Sequence, residues 1–212
     1  TDLANGIPAI LLSDFLGLDS VSFGTVLESG FGIGHEEYVE YGNRAHWRFY
    51  NTIFESVGLS LSMPAIGISE VGTAIINRGS IFGNLSQSCI RGTWKKPCLK
   101  CWKCFRKELL NFSLGFSEQP DLVNLMKTNE VQVKLSAFPI SHENVIIFSL
   151  QRIDLDDHAY LKPLADKLEM SVDMKMLNRW YAPSIDFIPR KYRHTIRDKI
   201  ISFVEPMTPA DE

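Results

Sequence analysis

Long apolar runs are missing from this 212-residue chain. The most apolar stretches, residues 7–12 and 145–150, are far shorter than the ~20 residues that a helix needs to cross a bilayer. The sequence also lacks an initiator Met and a basic start followed by an apolar segment, so it predicts no secretory signal. We therefore expect a soluble, cytoplasmic protein with no membrane partner.

Acidic residues are absent from residues 89–107, although this stretch contains seven basic side chains. The rest of the chain holds 15 basic and 25 acidic side chains, a formal charge of −10. The basic segment is therefore a local feature on an acidic body. The seven basic residues are Arg91, Lys95, Lys96, Lys100, Lys103, Arg106 and Lys107.

Cysteine is scarce, and all four cysteines lie in this basic segment with the spacing C-x8-C-x2-C-x2-C. Two-residue intervals allow one tight turn to present two sulfurs to the same ion, so the spacing predicts one structural zinc ion. Two disulfides or four unrelated buried thiols are the alternatives, and disulfides need an oxidising compartment. The expected ligands are Cys89, Cys98, Cys101 and Cys104.

Apolar periodicity predicts strands alternating with helices in the first half of the chain. Strands are expected at 20–27 and 59–63 and helices at 2–17, 37–57, 69–77 and 102–114, with a glycine-rich loop at 28–35. This order favours an α/β fold with a parallel sheet covered by helices. Beyond Gly115 the pattern changes to short helical pieces, so we expect an α/β region with the zinc site at 1–115 and a mostly helical extension at 116–212.

The segment around the cysteines resembles the zinc region of the 7-cyano-7-deazaguanine synthases, ligases of queuosine biosynthesis. The resemblance covers about residues 1–107, and the cysteine spacing carries it. Pro64, the helix ending at Gly79, and the short linker to Ser88 and Cys89 also match the family's order. The segment from residue 69 to 107 reads SEVGTAIINRGSIFGNLSQSCIRGTWKKPCLKCWKCFRK.

The resemblance implies an adenine-nucleotide-alpha-hydrolase-like fold and a known chemistry. Family members use ATP to adenylate a carboxylate, which ammonia then converts to an amide and finally to a nitrile. They hold the ATP phosphates with an S-G-G-x-D-S loop, but this chain has no Gly-Gly pair. It is therefore either a fragment whose fold is incomplete at the N-terminus or a paralogue that has lost the site. We expect a fragment, with ATP bound mainly by residues outside this chain.

Few other residues are candidates for a functional role, and the sequence identifies no catalytic residue. Glu28, Ser29 and His35 follow a predicted parallel strand, where α/β proteins place ligand-binding groups. Arg91 lies between the zinc ligands and faces either an anionic substrate or the zinc thiolates. Glu28 and Arg91 are the two predicted substrate contacts, although solvated loop positions are the alternative for Glu28, Ser29 and His35.

The expected partners are ATP and a small-molecule deazapurine in the complete protein. Residues 116–212 are candidates for a homodimer contact or for a protein partner. The alternative function is a non-catalytic, zinc-stabilised binding module for a protein or nucleic acid, since Trp94, Trp102 and the basic residues resemble a single-strand binding surface. Nucleic acid is not the expected partner, because the acidic remainder of the chain would repel a polyanion.

Overall fold

The computed structural model describes residues 7–8, 10–33, 37–118 and 120–211. Helices dominate these residues, and two short strands form a parallel sheet. The α-helices and strands are α1 (Ser13–Leu16), β1 (Ser20–Ser22), α2 (Leu27–Phe31), α3 (Ala45–Ser56), β2 (Ser60–Ser62), α4 (Glu70–Gly79), α5 (Trp102–Ser113), α6 (Leu122–Met126), α7 (Asn129–Ser136), α8 (Glu143–Leu150), α9 (Lys162–Ala165) and α10 (Arg190–Ile201). Shorter 3-10 helices lie at Tyr41–Asn43, Gly83–Leu85, Ala159–Leu161, Lys175–Asn178 and Ala182–Phe187.

The chain divides into two compact units. Unit 1 consists of Thr1–Thr73 and Arg179–Glu212, and unit 2 consists of Ala74–Asn178. The domain limits predicted from the sequence, 1–115 and 116–212, differ from the limits of these units and stay a prediction. In the described part of the chain, no helix is long and apolar enough to cross a membrane.

Unit 1 is built on the parallel pairing of β1 with β2, which the sequence predicted. Val21 lies opposite Leu61 in the register, and both side chains are buried. The apolar face of α3 adds Phe54 to this core. The second segment returns to the same unit, where Met63 donates a backbone hydrogen bond to Phe187 at 2.9 Å.

Between residues 20 and 57 of unit 1, a predicted strand, a predicted loop and a predicted helix differ from the structure. The predicted strand 20–27 ends at Ser22, and a helix, Leu27–Phe31, begins at the last predicted strand residue and replaces the start of the predicted loop 28–35. Leu27 and Phe31 are one helical turn apart and both are buried, so burial of this pair favours α2. The long helix predicted at 37–57 begins only at Ala45.

Unit 2 is helical, with α5 at its centre. This helix contacts α6, α7 and α8, and its buried face includes Phe105 and Leu109. The predicted helix 102–114 is therefore confirmed. Three of the four cysteines are part of the same apolar core. The segment that carries them, residues 89–104 and here called the cysteine loop, therefore packs against α5.

Candidate metal centre

The four cysteine sulfurs form one cluster in unit 2, where they lie within 4.8 Å of one another. The Sγ atoms of Cys98 and Cys104 are 3.8 Å apart, and those of Cys101 and Cys104 are 3.6 Å apart. A tetrahedral zinc ion with Zn–S bonds of ~2.3 Å requires sulfurs separated by roughly 3.8 Å. The cluster can therefore hold a metal ion such as zinc.

Local backbone structure brings the two halves of the cluster together. Cys101 is the N-cap of α5 and Cys104 lies in its first turn. Between Cys89 and Cys98 the chain forms a hairpin, in which Thr93 and Lys96 exchange backbone hydrogen bonds of 3.0 and 2.9 Å. A Cβ atom at Gly92 would lie only 2.1 Å from the carbonyl oxygen of Lys96, so the hairpin requires glycine at this position.

Gln87 connects the tip of this hairpin to the first cysteine. Its side-chain oxygen accepts a hydrogen bond from the backbone N–H of Lys95 at 2.6 Å. Its side-chain nitrogen donates to the carbonyl oxygen of Cys89 at 2.9 Å. Gln87 therefore fixes the tip relative to the sulfur cluster, a role that sequence analysis missed because glutamine is not a metal ligand.

The electrostatic environment differs among the sulfurs. The backbone N–H of Cys98 donates to Sγ of Cys89 at 3.3 Å and lowers the pKa of Cys89 to about 6. Burial raises the pKa of Cys104 to about 12, because a thiolate loses hydration there. A divalent cation would stabilise all four sulfurs as thiolates, and the donor set therefore fits a thiophilic metal.

Arg91, a predicted substrate contact, lies beside the cluster with its side chain 62% exposed. Its guanidinium forms an ion pair with Glu130, whose hydrogen bond raises the pKa of Arg91. The second oxygen of Glu130 accepts from the backbone N–H of Trp102 at 3.1 Å, at the start of α5. Glu130 comes from α7, and no sequence signal connects it with the cysteines.

Glu28, the other predicted substrate contact, belongs to unit 1 and is only 2% exposed. Its two carboxylate oxygens accept hydrogen bonds from the backbone N–H of Glu70 at 2.9 and 3.0 Å. Glu28 therefore caps the first turn of α4. Ser29 is exposed on α2, and His35 lies outside the described residues.

A family model described as a family of unknown function, DUF6395, matches residues 49–212. No curated protein and no solved structure matches the chain.

Proposed function

The chain belongs to the DUF6395 family of unknown function, and we propose that it is the zinc-bearing part of an ATP-dependent ligase similar to the 7-cyano-7-deazaguanine synthases. The cysteine cluster carries this proposal, since its spacing and its sulfur separations both suit zinc. The parallel pairing of β1 with β2 and the helix α4 that follows also agree with the order of elements in those ligases.

The role of zinc in this proposal is structural. Four thiolate ligands leave no open position for water or substrate, so the ion would supply cross-linking rather than Lewis-acid chemistry. Cys89 would bind it from before the hairpin, and Cys98, Cys101 and Cys104 from the turn and helix that follow. Zinc binding by peptides of this type is worth on the order of 10–16 kcal/mol at neutral pH, which is enough to determine whether the loop folds.

Zinc content tests the metal part of the proposal. We expect one zinc per chain by elemental analysis of folded, reduced protein. Cys101→Ser should lose most of this zinc and unfold the cysteine loop, whereas the matched control Ser88→Ala, beside Cys89, should retain it. A native ratio well below one would contradict the zinc assignment.

The ligase part of the proposal has a separate test. The chain has no S-G-G-x-D-S motif, so residues outside it would bind the ATP phosphates. We expect no pyrophosphate release by this chain alone from ATP, ammonium and 7-carboxy-7-deazaguanine, and we expect release by a polypeptide that adds the nucleotide loop. Turnover by the chain alone would overturn the assignment of the phosphate site, and its absence from a longer polypeptide that contains the motif would favour the binding-module alternative.

A further inference from the structure

We propose that the hairpin between Cys89 and Cys98 in unit 2 binds single-stranded nucleic acid through Trp94 and the surrounding lysines. This inference goes beyond the ligase proposal and requires only that the proposed zinc ion holds the hairpin. Three properties of the hairpin carry it: an exposed aromatic ring, a cluster of exposed cations and a fixed backbone.

The indole of Trp94 occupies the tip of the hairpin and is 59% exposed. Burial of an indole is favourable by several kcal/mol, so an exposed tryptophan at a tip is available for contact with another molecule. Ile90 and Leu99 are also exposed, and each directly follows a zinc ligand. These apolar side chains extend the surface on which an unstacked base can lie beside the indole.

Four lysines accompany this apolar surface, and no counter-ion for them lies in the described part of the chain. Among the residues that the structure describes, Lys95, Lys96, Lys100 and Lys103 form no ion pair and donate no hydrogen bond to a cysteine sulfur. All four side chains are exposed, and Nζ of Lys95 lies 6.0 Å from the centre of the Trp94 ring. Clustered, exposed lysines complement the phosphate charge of a polynucleotide, and the neighbouring aromatic ring offers a surface on which a base can stack.

The two units differ in charge, which changes the expectation drawn from the whole sequence. Unit 2 contains 14 basic and 11 acidic side chains, a formal charge of +3, whereas unit 1 contains 8 basic and 14 acidic side chains, a formal charge of −6. The acidic excess that would repel a polyanion therefore belongs to the unit without the hairpin. The unit that presents Trp94 is net positive.

The backbone of the hairpin is arranged in advance of binding. Lys95 has a positive φ of 58°, which is unfavourable for residues other than glycine. The hydrogen bond from its N–H to Gln87 stabilises this conformation. Because the tip is already ordered, stacking a base on Trp94 would cost little conformational entropy.

Fluorescence anisotropy with labelled dT12 and U12 oligonucleotides tests the proposal. We expect dissociation constants of roughly 1–100 µM near physiological salt, as for sequence-independent binding, with affinity that falls as salt rises. The dT12 and U12 arms distinguish DNA from RNA. Zinc content is measured on the same preparations, so failure of the metal site and failure of nucleic-acid binding are distinguishable.

Two variants locate the binding surface. Trp94→Ala should weaken binding about 5- to 100-fold through loss of stacking, and Lys96→Ala should flatten the slope of log K against log salt by about 0.7. Lys127→Ala, an exposed lysine of unit 2 outside the hairpin, is the matched control and should change neither. All three variants should retain zinc, since none replaces a ligand.

Several results would overturn the proposal. One is the absence of oligonucleotide binding to zinc-loaded protein at low salt. Another is binding that Trp94→Ala and Lys96→Ala leave unchanged. Equal affinity for poly-glutamate, or for vesicles with anionic lipids, would identify an acidic protein or a membrane surface as the occupant instead.

Discussion

The carboxylate of Glu130 accepts a hydrogen bond from the backbone N–H of Trp102 at 3.1 Å, although 28 residues separate the two in the sequence. Its other oxygen pairs with Arg91, which lies between the first and second cysteines. One side chain of α7 therefore holds both the loop and the helix that carry the sulfur cluster.

Glu130→Gln should destabilise unit 2 and weaken its retention of the proposed zinc ion. The amide removes the charge that faces both Arg91 and the N-terminus of α5, where a carboxylate is favourable. We expect the midpoint of thermal unfolding to fall by a few degrees at neutral pH. Glu118→Gln, the same change at an exposed position of unit 2, should leave it unaltered.

The effect of Glu130→Gln should depend on pH with a defined sign. The hydrogen bond from Trp102 N–H and the Arg91 pair hold the pKa of Glu130 below its ordinary value of 4.5. A lowered folded-state pKa contributes stability above the ordinary value, and this contribution is lost as the pH falls through the folded-state pKa. The difference in unfolding midpoint between native protein and variant should therefore be largest at neutral pH and shrink in acid. A difference that grows below pH 4.5 would contradict this account.

Gly92→Ala should disrupt the hairpin without removing a ligand. The added Cβ would lie 2.1 Å from the Lys96 carbonyl oxygen and 2.9 Å from Cα of Pro97, both backbone atoms. We expect a cost of about 1–3 kcal/mol in the free energy of unfolding, as for other overpacked sites, and weaker zinc retention against a chelator.

Gly24→Ala is the control for this glycine change. A Cβ atom there meets nothing within 4 Å, and the backbone has no positive φ. The variant should therefore have native stability and zinc content. Equal behaviour of the two variants would show that the hairpin does not constrain the metal site.

Local patterns account for what the sequence could predict. The cysteine spacing located the cluster, and the helix predicted to start at residue 69 corresponds to α4, where the hydroxyl of Ser69 accepts a hydrogen bond from the N–H of Gly72 at 3.0 Å. The contacts of Glu28 and Glu130 join residues 42 and 28 positions apart, and no periodicity encodes such pairs. The return of residues 179–212 to unit 1 is likewise a long-range contact that apolar spacing does not reveal.

Glu28→Gln tests whether Glu28 has a structural role. Glu28 is 2% exposed, and both oxygens of its carboxylate accept from the backbone N–H of Glu70. In glutamine an NH2 group replaces one of these oxygens and would face the N–H of Glu70, which is also a donor. We expect the free energy of unfolding to fall by about 1–3 kcal/mol, as for a buried group that loses its charged partner. Glu55→Gln, at an exposed position of unit 1, should cost much less in the same denaturant titration. Native stability for Glu28→Gln would contradict the helix-capping role.

Asn144→Leu should stabilise the protein. Asn144 lies in the first turn of α8 and is 1% exposed, yet within the described ranges neither Oδ1 nor Nδ2 has a hydrogen-bond partner. A buried amide without partners costs about 1–3 kcal/mol relative to an apolar group of similar shape, so the free energy of unfolding should rise by that order.

Asn144→Asp is the informative counterpart, because an unpaired carboxylate is costlier to bury than an amide. This variant should lower the free energy of unfolding, most strongly at a pH above the pKa of the new carboxyl group. Both changes are read from denaturant unfolding at neutral pH. Destabilisation by leucine of the same size as that by aspartate would contradict this account and would show that the amide makes a stabilising contact that leucine cannot replace.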